Sequence, residues 1–227
     1  GGSSSTTLAG TSGNDNLTIT AGITTVTGGG GNDTFVAMSG SSTLDDLDNG
    51  DILVVKSGAS IKSTSVSNFT ASASTSNLGV TTIESSNAGS TINLSLSSAG
   101  GYILIGGSGV DTITGSSQDD TFTILSSGEG NSDVFVGGNG TDTLQVSAGT
   151  HVFASDANFT TIETILAHAS GSSINLSAQS ENFTITGGAG IDAITGGSGT
   201  DIITGGAQND TLMGGGGKKG TSYQFAS

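Results

Sequence analysis

The chain contains no cysteine, no proline and no arginine, and its only cationic side chains besides two histidines are four lysines. Without cysteine there is neither a disulfide nor a thiolate metal site. Four lysines against 19 acidic residues leave a net charge of -15. Such a chain lacks the cations that would displace counterions from nucleic-acid phosphates, and anionic membrane surfaces are excluded on the same ground. No apolar run is long enough to span a bilayer, so no membrane insertion is expected. His151 and His168 have no companions at zinc-ligand spacing and read as solvent-facing strand or loop residues. No nucleophile elbow or Ser–His–Asp arrangement can be read among the many serines, so no enzyme is expected. The chain begins Gly1-Gly2-Ser3-Ser4-Ser5, with no initiator Met and no signal-peptide pattern, which reads as an excised piece or a processed product.

What is present is 40 glycines and an abundance of Ser and Thr, with 32% hydrophobic residues. That composition suits either disorder or a repetitive fold, and the spacing of the apolar residues separates the two. Near the end, Gly187, Gly196 and Gly205 each open a nine-residue unit. A unit has Gly at positions 1 and 2, usually Gly at 4, Asp at 6 (Asp192, Asp201, Asp210) and a large apolar residue at 8. The register recurs from Gly106, Gly115, Gly128 and Gly137, with Asp111, Asp120, Asp133 and Asp142 at position 6 and a four-residue insertion between the second and third units. An N-terminal run starts at Gly10, Ile19, Gly28, Ala37 and Asp46. Position 8 there is always apolar, and position 6 alternates Asp15, Thr24, Asp33, Ser42, Asp51.

These units resemble the calcium-binding nonapeptide repeat of the RTX (repeats-in-toxin) family, G-G-x-G-x-D-x-U-x. The resemblance implies an all-β, right-handed parallel β-solenoid, the RTX β-roll, with several calcium ions between its turns. The unit itself divides into a six-residue turn and a three-residue strand. Glycine permits the turn conformations, and alternation sends position 8 inward and positions 7 and 9 outward. By the family pattern two units make one coil, so units two apart lie one above the other. Calcium takes six to eight oxygens, chiefly carboxylates and carbonyls. The expected ligands are therefore the position-6 aspartates, with carbonyls of the turns opened by Gly10, Gly28, Gly106, Gly115, Gly128, Gly137, Gly187, Gly196 and Gly205. Asp15, Asp33 and Asp51 form one column; Asp111 faces Asp133, Asp120 faces Asp142 and Asp192 faces Asp210. The opposite edge of the first run, with Thr24 and Ser42, is expected to hold no ion. Asp201 would meet Lys219 and lose its site.

The expected organisation is a single continuous solenoid over 1–227. Calcium-repeat runs at 10–54, 106–145 and 187–222 alternate with metal-free Ser/Thr-rich coils at 55–105 and 146–186. The two spacers align with each other. Thr82-Ile83-Glu84 matches Thr161-Ile162-Glu163, Ile92-Asn93-Leu94-Ser95 matches Ile174-Asn175-Leu176-Ser177, and Gly106 recurs at Gly187. Interleaving of this kind, with an Ile-Glu-Thr motif at 162–164, is similar to bacterial surface-layer and large type I-secreted surface proteins. That similarity implies a secreted, cell-surface structural module that folds on calcium after export and self-associates into a layer or filament, with cell-surface polysaccharide as a further partner class. The alternatives are the calcium-dependent stalk of an adhesin, or the tail of an exported enzyme whose catalytic domain lies elsewhere. Thr-x-Thr pairs such as Thr112/Thr114 and Thr121/Thr123 read as ordinary β-preference on a solvated face.

Overall fold

The computed structural model describes residues 6–216 and 222–224. Every strand pairing is parallel, and each strand meets its neighbour one coil away. Thr7–Ala9 lies beside Thr25–Thr27, 18 residues on, and the pattern continues to Ser222–Gln224. The result is a parallel β-solenoid. One wall is a single sheet of 12 strands running the length of the described chain. The opposite wall is divided into sheets of four, five and four strands.

The three-residue strands arise because each motif supplies one inward apolar residue flanked by two outward ones, as in the exposed–buried–half-buried pattern of Thr112–Thr114 and Ile202–Thr204. Inside the long wall these residues stack as Leu8, Val26, Leu44, Ser63, Ile83, Leu104, Phe122, Leu144, Ile165, Ile185 and Ile203. Opposite lie Leu17, Phe35 and Leu53, then Phe69, Ile92, Ile113, Phe135 and Phe159, then His151, Ile174, Ile194 and Leu212. The core is thus a stacked column on each wall, joined by a second inward residue in the four-residue strands of the first run, Ile19, Ala37 and Val55, which is how a chain with few hydrophobic residues fills an interior.

The long wall passes through both Ser/Thr-rich spacers, and the second wall changes sheet inside them. The coil from Lys62 to Thr82 carries two strands opposite the long wall. Asn68–Thr70 begins the five-stranded sheet, and Ser76–Asn77 ends the first four-stranded one. The coil from Thr143 to Thr164 does the same: Gly149–Val152 begins the last sheet and Phe159–Thr160 ends the middle one. In both coils the new sheet starts before the old one finishes. These are handover coils, in which the second wall passes from one sheet to the next.

Ser63 is the one polar residue among those named in the long wall's inner file. Its hydroxyl, like that of the buried Thr81, has no hydrogen-bond partner. An unsatisfied buried hydroxyl costs about 1–3 kcal/mol. Ser63→Ala and Thr81→Val should therefore each raise stability by about 1 kcal/mol, read as a higher urea midpoint in calcium-containing buffer. An unchanged or lower midpoint for both would mean that these hydroxyls find partners in solution.

His151 corrects the expectation of a solvent-facing residue. It is fully buried, heads the inner file of the last sheet, and stacks on Phe153 with ring centres 6.4 Å apart. His168 is exposed, as expected, and its Nδ1 accepts the Ser170 N–H.

Candidate metal centre

The turns joining the walls lie along two edges. Asp15, Asp33 and Asp51 lie on one edge, immediately before strands of the first four-stranded sheet. Asp111 and Asp133, then Asp192 and Asp210, occupy the same edge in the later sheets. Asp120, Asp142 and Asp201 precede strands of the long wall and therefore lie on the other edge.

A single hydrogen-bond rule builds each column. The N–H of each aspartate donates to Oδ1 of the aspartate one coil on: Asp15 to Asp33, Asp33 to Asp51, Asp111 to Asp133, Asp120 to Asp142 and Asp192 to Asp210, at 2.7 to 2.9 Å. Oδ2 generally turns back to an N–H of its own turn, from Thr11 to Asp15, Gly107 to Asp111, Ser116 to Asp120, Gly188 to Asp192 and Gly197 to Asp201. The structure thus brings together all five pairs expected from the spacing. Above Asp120 and Asp201 the column stops at buried aromatics, since the N–H groups donating to their Oδ1 atoms belong to Tyr102 and Phe183. Lys219, the expected neighbour of Asp201, lies outside the described residues.

The position-1 glycines open the space beside these carboxylates. A Cβ at Gly10, Gly115 or Gly187 would strike both its own turn's Asp Oδ2 and a carbonyl oxygen of the next coil, from Gly28, Gly137 and Gly205 respectively. A Cβ at Gly28, Gly137, Gly196 or Gly205 would strike Asp33, Asp142, Asp201 or Asp210, and Gly106 faces Oδ2 of Asp111 and Asp133. Gly128 departs from the expected register. It sits in the insertion, its N–H donates to the Thr150 carbonyl, and its Cβ position meets no carboxylate. Position 1 of that turn is the buried Ile124, which extends its strand by one residue to pair with Val146. The insertion follows Ile124.

The alignment of Thr82-Ile83-Glu84 with Thr161-Ile162-Glu163 also needs correction. Thr82 and Thr164 occupy equivalent places on the long wall. The two stretches are therefore displaced by three residues in space. Glu84 points outward and pairs with Lys62 at 2.8 Å, whereas Glu163 lies in an edge turn and accepts the Asp142 N–H at 2.8 Å. Sequence reasoning missed Asp46. It replaces the position-1 glycine at the end of the first column, where its carboxylate accepts the N–H groups of Gly28 and Gly29 and the Thr27 hydroxyl. Its place at position 1 was visible in the periodicity, but its capping role was not.

The electrostatics favour a cation. Asp33, Asp51, Asp111, Asp120, Asp133, Asp142, Asp192 and Asp201 are all buried, and a buried carboxylate needs a partner charge or a proton. Oδ1 of Asp111 and Oδ2 of Asp133 and Asp142 are enclosed without any hydrogen-bond partner. Burial, reinforced by the charges of Asp111 and Glu129, pushes Asp133 up to about 6. Burial, reinforced by Asp120, Glu163 and Asp119, pushes Asp142 up to about 7. Asp51 and Asp120 are raised too, again mainly by burial. Among the described residues no three acidic or histidine side chains are grouped closely enough to hold a metal alone. A site here consists of two carboxylates supplemented by backbone oxygens. An all-oxygen donor set suits a hard cation such as calcium and offers nothing to a softer metal.

A parallel solenoid with stacked Gly/Asp turns defines a class of calcium-binding β-roll. The family model of the RTX calcium-binding nonapeptide repeat matches in four copies, at residues 20–59, 103–123, 127–150 and 186–218, together more than half of the chain. The chain belongs to this RTX family, and its repeats bind several calcium ions. It is a structural calcium-binding module of the kind found in secreted proteins. No curated protein and no solved structure matched in the corresponding searches.

Proposed function

We propose that this chain is a rod-like module of a secreted, self-assembling bacterial cell-surface protein, wound into its solenoid by calcium once outside the cell. The observation that carries this reading is the pairing of buried, stacked aspartates with oxygen-lined glycine positions along both edges. The ligands are Asp15, Asp33 and Asp51; Asp111 with Asp133; Asp120 with Asp142; and Asp192 with Asp210, each pair completed by turn carbonyls. Extracellular modules bind calcium at roughly 10⁻⁴–10⁻³ M, so the chain stays unfolded where calcium is scarce and folds where it is abundant.

Self-association is supported by where the charge lies. From Ile103 to Thr204 the outward positions of the long wall are Ile, Thr, Gln and Leu only, with no charged residue. In a chain of net charge -15, that wall is where rods can lie side by side without repulsion, and calcium neutralises the edges.

Asp33 serves two pairs, so Asp33→Asn should raise the calcium concentration needed for folding on the order of tenfold or more, followed by far-UV circular dichroism. The same change at the exposed Asp156, which belongs to no column, should leave that midpoint unchanged. Equal effects would remove the ligand assignment. Electron microscopy of the purified chain with calcium should show sheets or filaments. Monodisperse rods at every calcium concentration would remove the assembly part.

A further inference from the structure

The column that holds Asp120 and Asp142 does not end with the last nonapeptide aspartate of the middle run. Asp120 donates its N–H to Asp142 Oδ1 at 2.7 Å, and Asp142 in turn donates its N–H to Glu163 Oε2 at 2.8 Å. Glu163 therefore occupies, one coil on, the place a position-6 aspartate would fill. The carbonyl is reproduced as well. At Gly115 the next coil offers the oxygen of Gly137; at Gly137 it offers the oxygen of Thr161, again beside the aspartate's Oδ2. Thr161 belongs to no nonapeptide and reaches this position with φ at 54°, a conformation rare for a β-branched residue.

A second, independent feature points to a ligand. In the turns of Asp15, Asp111, Asp120, Asp192 and Asp201, Oδ2 of the aspartate is occupied by the N–H of position 2. In the Asp142 turn that donor, the N–H of Gly138, goes instead to the Thr161 hydroxyl at 2.8 Å. Asp142 Oδ2 is left fully enclosed with no partner, on a residue with no solvent exposure. Thr161 thus takes away the carboxylate's donor and places a carbonyl oxygen beside the vacated atom. The unused Oδ2 of Asp142, the Thr161 carbonyl beside it and the neighbouring Glu163 carboxylate make a site that repels itself until a cation enters.

We infer that Asp142 and Glu163, with the Thr161 carbonyl, hold a further calcium ion between the last nonapeptide turn of the middle run and the spacer turn one coil on, just before Thr164. The raised pKa of Asp142, caused first by burial and then by neighbouring charges that include Glu163, agrees with this. The Ile-Glu-Thr stretch then has a physical role: Ile162 is buried, Thr164 starts the strand, and Glu163 extends the ion column into a coil without a Gly/Asp repeat. Beyond it the column ends, because Phe183 takes the corresponding place above Asp201.

This inference rests on the ligand assignment proposed above, and the experiment separates the two. Calcium bound per chain is counted at saturation, at about pH 7.5, by equilibrium dialysis with atomic emission. Glu163→Gln keeps an acceptor for the Asp142 N–H and removes the charge, and should lose one ion. Asp142→Asn serves two sites and should lose two. A Glu163→Gln chain that folds and binds as many ions as the wild type overturns the inference. A wild-type chain that binds none overturns the broader assignment instead. Should Glu163→Gln fail to fold, the side-chain carboxyl ¹³C resonance of Glu163 in the wild-type chain decides. A shift on calcium addition clearly larger than that of the Glu84 carboxyl, which pairs with Lys62 outside the columns, supports the site, and a shift no larger overturns it.

Discussion

In calcium-free buffer at about pH 7.5 the chain should lose most of its β-sheet signal, and acidification to about pH 5 should restore part of it. The columns bury carboxylates beside one another, and without calcium only a proton can relieve them. Asp133 and Asp142, pushed up to about 6 and about 7 from 3.8, set the window. A group whose folded pKa is raised contributes stability that is complete below its unfolded value and lost as the pH rises through its folded value. The metal-free solenoid therefore weakens between about pH 4 and 7, with the raised Asp51 and Asp120 adding in the same sense. His151 opposes them. Burial lowers its pKa, so its contribution is present above 6.5 and falls away as acid forces a charge into the core. One imidazole against two strongly shifted carboxylates leaves the net gain on the acid side. Each pK unit is worth about 1.4 kcal/mol, so the effect is large beside the marginal stability of a domain. Calcium competes with these protons, and adding it at about pH 6.5 should acidify a weakly buffered solution. The same ellipticity with calcium and with chelator at about pH 7.5, together with no proton release, would falsify the coupling.

Much of this arrangement was legible in the residues. The nine-residue period put every position-8 side chain of the first run, from Leu17 to Leu53, inside, and offsets of 18 and 22 named the stacked aspartates that the backbone bonds join. Those features repeat, so errors at one unit are corrected by its neighbours. What escaped were singular events. The strand ending at Ile124 takes one more apolar residue before turning, which displaces Gly128, and nothing in the glycine spacing says which side of an insertion keeps the register. Two Ile-Glu stretches look alike in sequence but sit three residues apart in the coil, since an inward Ile83 and a turn-buried Ile162 are both apolar. The handover of the second wall between sheets depends on which strands lie side by side across coils of unequal length, and one coil does not encode its neighbour's length. His151 was misplaced because no nine-residue register runs through its spacer, and a polar ring without such a register is read as facing solvent.

The handover coil between the middle and last sheets should be the mechanical weak point of the rod, and Phe159→Ala the substitution that exposes it. Phe159 is fully buried in the last, two-residue strand of the middle sheet. Its ring lies 4.6 Å from that of Phe153, 6.1 Å from Phe183 and 6.3 Å from Phe135, centre to centre. Through Phe135 the cluster continues to Phe122 on the long wall at 5.5 Å. One side chain thus joins both walls, the middle sheet and the coil that starts the next. Removing such a ring costs about 3–5 kcal/mol, with little prospect of collapse around the cavity, and the edge-to-face pairing with Phe183 adds to the loss. A solenoid's stability is a sum of coil terms and nearest-neighbour terms, so weakening one junction need not unfold everything. Urea unfolding of Phe159→Ala in saturating calcium should separate into two transitions, with the coils from 164 onward melting apart from those before 143, whereas the wild type melts in one. Trimming the exposed Val110 to Ala should shift the midpoint by less than about 0.5 kcal/mol. A single, only slightly shifted transition for Phe159→Ala would mean that the continuous long wall, and not the aromatic cluster, carries cooperativity across the junction.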